Sequence, residues 1–204
     1  VKERNVWVGA DPGGRNAFGL AILTDDGGFT THCVSCADDA IQHVKARPAG
    51  VGIDAPMWWS SGPSGDRRAD RWIRNRYQIG GGTVQAANSL RGAALVQGVL
   101  FAERARQLFK KVPITEAHPK AVLRALKLSW AEFCSVYSIG PTTGDVGAEN
   151  EHCRDAVVAA VAAREGFSGH WTVDLTKDRQ EEHEQDPFSY WLAPVHYFWP
   201  QREP

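Results

Sequence analysis

Five side chains stand where they could do chemistry together: Asp11, Asp54, Glu116, His152 and Asp155. Asp11 closes the apolar run Val6-Trp7-Val8-Gly9-Ala10 and precedes Pro12-Gly13-Gly14. Asp54 closes Gly50-Val51-Gly52-Ile53, and Glu116 closes Val112-Pro113-Ile114-Thr115. The C-terminal ends of parallel strands border the ligand crevice of an open α/β sheet. Asp155 shares one face of an alanine-rich helical stretch with His152 and Glu151. Carboxylates gathered in one place repel one another at neutral pH. Hard Mg²⁺ or Mn²⁺ ions, which take oxygen ligands, are the usual counterweight. Each residue alone has an ordinary role. Asp before Pro-Gly forms turns, Asp after a strand caps the next element, Glu151 is a favourable charge in a first helical turn, and Glu116 can pair with a base. The repeated strand-end position is what favours a metal centre.

The elements that must position these residues alternate. Val6 to Ala10, Phe18 to Leu23 and Phe29 to Ser35 are apolar runs separated by turn signals, among them Asp25-Asp26-Gly27-Gly28. They predict an antiparallel meander. Asp38 to Arg47 places Ala40, Ile41 and Val44 on one helical face, and the crossover to Gly50–Ile53 predicts a strand parallel to the first. Ala86 to Lys111 repeats Leu90, Ala94, Gly98, Phe101, Ala105 and Leu108 at helical spacing. Val112 to Glu116 is a fifth strand, Pro119 to Leu126 a helix with proline in its first turn, and Glu151 to Glu165 a helix closed by Gly166. The expected fold is a single α/β domain over 1–204, a mixed five-stranded sheet flanked by helices, with an inserted Arg/Gly-rich segment at 57–85. An extension at 167–204 is acidic, then aromatic through Trp191, Tyr197, Phe198 and Trp199.

The net charge of −1 over 204 residues hides an uneven distribution. Residues 57–111 carry 10 basic and 3 acidic side chains, and residues 149–204 carry 5 basic and 11 acidic ones. The overall balance argues against bulk coating of nucleic acid or membrane, yet the basic block holds Arg67, Arg68, Arg71, Arg74 and Arg76 beside Trp72 and Tyr77. Guanidinium forks suit phosphate oxygens and aromatic faces stack on bases, so Arg67, Arg68, Arg74 and Trp72 are candidate nucleic-acid contacts. A solvated basic surface answering the acidic C-terminal block is the plainer alternative. No apolar run approaches the length of a membrane span. Four cysteines make no disulfide scaffold, and Cys33-x-x-Cys36 sits at a strand end without the second ligand pair a zinc site needs. No leader pattern precedes the first strand, and a cytoplasmic protein is expected.

The pieces Gly9-Ala10-Asp11, Ile53-Asp54-Ala55-Pro56, Arg67-Arg68-Ala69-Asp70 with Arg74, Glu116-Ala117-His118-Pro119 and His152-Cys153-Arg154-Asp155-Ala156 come in an order that resembles the ribonuclease H-like superfamily. More closely they resemble an uncharacterised family of predicted RNase H-like nucleases. The His-x-x-Asp pair is similar to that of RuvC-like resolvases. The resemblance implies a ribonuclease H-like fold and a metal-dependent nuclease working with two Mg²⁺ or Mn²⁺ ions. It implies Asp11 bridging both ions, Asp54 and Asp155 holding one each, and His152 or Glu116 completing a shell. Two other functions stay open: a binding module on the same fold that does not cut, and a phosphate-loop relative of actin-like ATPases, for which one such domain is too small. Nucleic acid is the expected partner. A protein partner or homo-oligomer is left open.

Overall fold

The computed structural model describes residues 5–60, 65–145, 149–177, 188–190 and 194–201, with backbone alone at 88 and 188–190. The acidic stretch 178–187 and Trp191 lie outside the described residues. Strands β1 (Val6–Asp11), β2 (Phe18–Thr24) and β3 (Gly28–Val34) form an antiparallel meander. Helix α1 (Ala37–Ile41) leads to β4 (Gly50–Ile53), which lies parallel to β1. The excursion through β5 (Trp58–Ser60), α2 (Arg68–Tyr77) and α3 (Gly92–Phe109) ends in β6 (Ile114–Glu116), parallel to β4. Helices α4 (Pro119–Leu126) and α5 (Trp130–Val136), strand β7 (Gly140–Pro141) and helix α6 (Glu151–Phe167) follow. Short strands β8 (Val173–Asp174), β9 (Phe188–Tyr190) and β10 (Phe198–Trp199) close the chain. The main sheet has the order β6-β4-β1-β2-β3-β7. This is the expected mixed α/β sheet, enlarged by a sixth strand: β7 pairs with β3 through two residues.

What positions the last helix is a patch of missing side chains. Strand side chains alternate between faces. On one face of the sheet stand Gly9 and Asp11 of β1, Gly19 of β2 and Gly52 of β4. A Cβ at Gly9 would fall on the Ala156 carbonyl oxygen, one at Gly52 on that of Ala159, and one at Gly19 on that of His152. Helix α6 therefore lies directly on the sheet backbone, and its own small residues Ala156, Ala159, Ala160 and Ala163 are fully buried. Overpacking a close contact of this kind costs about 1–3 kcal/mol. Gly52→Ala should lower the unfolding free energy, read from urea titration, by that amount. Gly14→Ala, whose Cβ would meet nothing, should leave it unchanged. Equal losses for the two variants would contradict the close approach.

Three local expectations need correction. The helix expected over 38–47 spans only Ala37–Ile41 and gives way to turns whose backbone bonds run from His43 to Ala40 and from Val44 to Ile41. The long helix expected from Ala86 begins only at Gly92, after a 3₁₀ turn at Ala87–Ser89. Leu108, expected on its core face, is 60% exposed. The aromatic tail packs inward: Tyr197 and Trp199 are buried, with Trp199 against Trp72 and Tyr77. His196 exchanges backbone hydrogen bonds with Ile114 and Glu116 (3.0 and 2.8 Å), which covers the β6 edge of the sheet.

Candidate active site

Asp11 ends β1, and the Asp54 backbone N–H donates to the Ala10 carbonyl at 2.9 Å, so the two residues leave neighbouring strands side by side. Both follow a glycine by two residues and share its face, the face under α6. The close approach of α6 brings its first two turns to the same point. Asn150 caps the helix by accepting from the His152 N–H at 2.8 Å. The His152 ring Nδ1 meets Asp11 Oδ2 at 2.7 Å. Asp155, one turn on, is buried beside them. Asp11, Asp54, Asp155 and His152 thus line one cleft of ≈ 250 Å³.

The electrostatics follow from burial and crowding. Burial, then the charges of Asp11, Asp155 and Glu116, push the Asp54 carboxyl well above its ordinary range. Burial and then Asp11 push Asp155 up to about 7. Asp11 is raised by burial, and its hydrogen bond to His152 works against the rise. That same bond raises the His152 pKa. The side chain of Asp54 makes no hydrogen bond among the described residues. A group of carboxylates that resists ionising together is chemically suited to a divalent cation. Among the described residues, however, no three His, Cys, Asp or Glu side chains already stand close enough to hold an ion between them. The donors fit the ion by type and must draw together to bind it.

Glu116 borders the cleft but is not one of this group. In the sheet register it pairs with Ile53, one residue before Asp54, and so projects to the opposite face. There it is fully engaged. Arg67 Nη1 and Nη2 donate to its two oxygens at 2.8 and 2.6 Å, and the Met57 N–H donates at 3.0 Å. Arg67 also forks onto Asp70 at 2.8 Å through Nε and Nη2, and Nη1 reaches the Trp58 carbonyl at 3.4 Å. The guanidinium lies 4.2 Å over the Trp58 ring and is 1% exposed. All five of its N–H donors have partners. Arg67 is therefore corrected from a phosphate contact to a buried structural cation, and Glu116 from a metal-shell candidate to its counter-ion.

Of the other arginines in the segment, Arg74 is also turned inward, while Arg76 is exposed. Arg74 donates to Asp66 Oδ2 at 2.5 Å and to the Val84 carbonyl at 3.2 Å. His118 meets the Thr83 carbonyl at 2.8 Å. These bonds fold the glycine-rich stretch over the cleft, where Gly82, Thr83, Gln85 and Leu90 form a wall. Arg68 and Trp72 border a separate hollow with Leu175 and Lys177, and Trp72 is 36% exposed. Sequence reasoning missed Lys120. Its ammonium lies 2.7 Å from Glu151 and 3.8 Å from Asp155, at the mouth of the cleft. A lysine in the first turn after a strand carries no distinguishing signal, and only the placement of α4 beside α6 reveals it.

Compared with known proteins, residues 9–135 match the family described as Protein of unknown function (DUF429). The matched span includes Asp11, Asp54 and Glu116 and ends before α6. No curated protein and no solved structure matches the chain.

Proposed function

The chain belongs to the DUF429 family of proteins of unknown function, and from that premise and the carboxylate cleft we propose a divalent-metal-dependent nuclease of the ribonuclease H-like type that hydrolyses phosphodiester bonds in nucleic acid. One observation carries this reading: Asp11, Asp54 and Asp155 meet in one cleft at the C-terminal edge of parallel strands, and each has a raised pKa there.

Asp11, Asp54 and Asp155 would hold Mg²⁺ or Mn²⁺, two ions in the full reading. When bound, such ions supply a water activated at neutral pH and offset the charge on the leaving oxygen. The chain's own groups do the rest. His152 fixes the orientation of Asp11 through the 2.7 Å hydrogen bond. Lys120, paired with Glu151 at the mouth of the cleft, offers an ammonium donor for a non-bridging phosphate oxygen. Pro12, Ala55, Leu90 and Ala94 give the cleft an apolar side that limits water around the scissile bond. No helix among the described residues is long and apolar enough to cross a membrane.

The test is cleavage of labelled single-stranded, duplex, hybrid and branched nucleic acids with Mg²⁺ or Mn²⁺. Metal-dependent cleavage that disappears in Asp11→Asn is the expected result. No cleavage of any substrate, or cleavage that survives Asp11→Asn, ends the proposal. A second reading, a binding module that does not cut, is favoured by the separation of the carboxylates as they stand. It predicts retained nucleic-acid binding with no product at any metal concentration.

A further inference from the structure

We propose that Cys33 and Cys153 are an oxidisable pair, in which a hydroperoxide oxidises exposed Cys33 and buried Cys153 closes on it to form a disulfide that pins the first turn of α6 to β3. The inference does not rest on the nuclease reading.

The register across three strands sets up the pair. Asp11 of β1 pairs with Gly19 of β2, and Gly19 pairs with Cys33 of β3. Gly19 has no side chain, so the backbone of His152 and Cys153 rests directly above it. The start of α6 at Cys153 is thereby set beside Cys33, the β3 neighbour of Gly19. The Cys33 sulfur meets the Asn16 carbonyl at 3.2 Å and the Asn150 amide at 3.5 Å. Cys33 is exposed and Cys153 buried. An oxidant therefore reaches one member of the pair, and the other lies beneath the helix turn that rests next to it. Cys36, the partner that the C-x-x-C spacing offers, sits beyond the strand at the start of α1, and no hydrogen bond among the described residues joins it to Cys33.

The chemistry balances with the hydroperoxide as the only co-reactant. The Cys33 thiolate attacks the peroxide, an S–O bond forms as the O–O bond breaks, and the displaced oxygen leaves protonated as water or alcohol. The Cys153 sulfur attacks the Cys33 sulfenic acid, an S–S bond forms as the S–O bond breaks, and the hydroxyl leaves as water with the proton from Cys153. Two thiols lose two electrons and two hydrogens. The product ties β3 to the turn that holds His152 against Asp11.

The experiment treats the full chain with hydrogen peroxide, blocks free thiols and maps the peptides by mass. A peptide pair joined through Cys33 and Cys153, lighter by two hydrogens and released by dithiothreitol, is the expected product. It should form equally in Cys36→Ser and be absent in Cys33→Ser, whose exposed position leaves folding unaffected. A Cys33–Cys36 link, or Cys33 carried on to sulfinic acid with Cys153 still a free thiol, overturns the proposal.

Discussion

Arg67→Ala is expected to cost about 3–5 kcal/mol, because it leaves two buried carboxylates without their shared counter-ion. Asp70 and Glu116 are both essentially inaccessible, and Arg67 donates to all four of their oxygens. The triad also joins three parts of the fold: the strand end at Glu116, the first turn of α2 at Asp70, and β5 through Trp58. Arg67→Lys should recover only part of the loss, since an ammonium cannot fork onto two carboxylates at once. The pH dependence gives a second check. Burial already raises the Glu116 pKa despite Arg67, the next influence, which lowers it. Without Arg67 the rise is larger. A carboxyl whose folded pKa lies above its unfolded value contributes stability that is full at low pH and is lost as pH rises through the folded pKa. The deficit of Arg67→Ala should therefore shrink as pH falls from neutral towards the unfolded carboxylate range near pH 4. Urea midpoints across that interval are the measurement. A loss under about 1 kcal/mol at neutral pH, or a deficit that does not change with pH, would show that the triad does not hold the fold in this way.

The same residues mark where the sequence can and cannot be read. Asp11 and Asp54 are legible as strand-end carboxylates because apolar runs before them and turn residues after them fix where each strand stops. Glu116 looks the same by that criterion. Its side of the sheet depends on the register Ile53↔Glu116, and a shift of one residue reverses a strand's faces. No local pattern in β6 carries that information. Arg67 misleads for a related reason. An arginine-rich stretch reads as a phosphate grip or a solvated face, and its buried partner Glu116 lies 49 residues away. Helix α5 is absent from the sequence expectation although its signal is present. Ser129 and Glu132 form a reciprocal cap, with the Ser129 N–H donating to Glu132 at 2.8 Å and the Glu132 N–H to the Ser129 hydroxyl at 3.4 Å. The two-residue β7 has no such signal. Helix α6 is legible as a helix from its alanines. That it lies on the sheet can be read only by combining those alanines with Gly9, Gly19 and Gly52 of three separate strands.

On the nuclease reading proposed above, Asp155→Asn should strongly reduce cleavage and yet stabilise the metal-free protein at pH 8. The two effects share one origin. Burial, and then the neighbouring Asp11, lift the Asp155 pKa from 3.8 to about 7. The folded protein thus holds this proton where the unfolded chain has released it. Stability from this group is full below about pH 4 and lost as pH rises through about 7. A rise of that size corresponds at most to roughly 4 kcal/mol, and relaxation of the cleft and water entry reduce it. The amide that replaces the carboxylate carries no charge to desolvate, so the variant should gain on the order of 1–4 kcal/mol over the parent at pH 8. Near pH 4 the two should unfold together. Mn²⁺ should raise the parent's melting temperature at pH 8 and shift the variant far less, since ligand binding stabilises only the form that holds the ligand. Catalysis goes the other way: losing a ligand that must ionise should reduce cleavage by roughly 10²-fold or more. A variant less stable than the parent at pH 8, with a gap that persists at pH 4, would mean that Asp155 is simply well packed and not held against its own charge. A more stable variant that still cuts would leave the crowded carboxylates in place and take catalysis away from them.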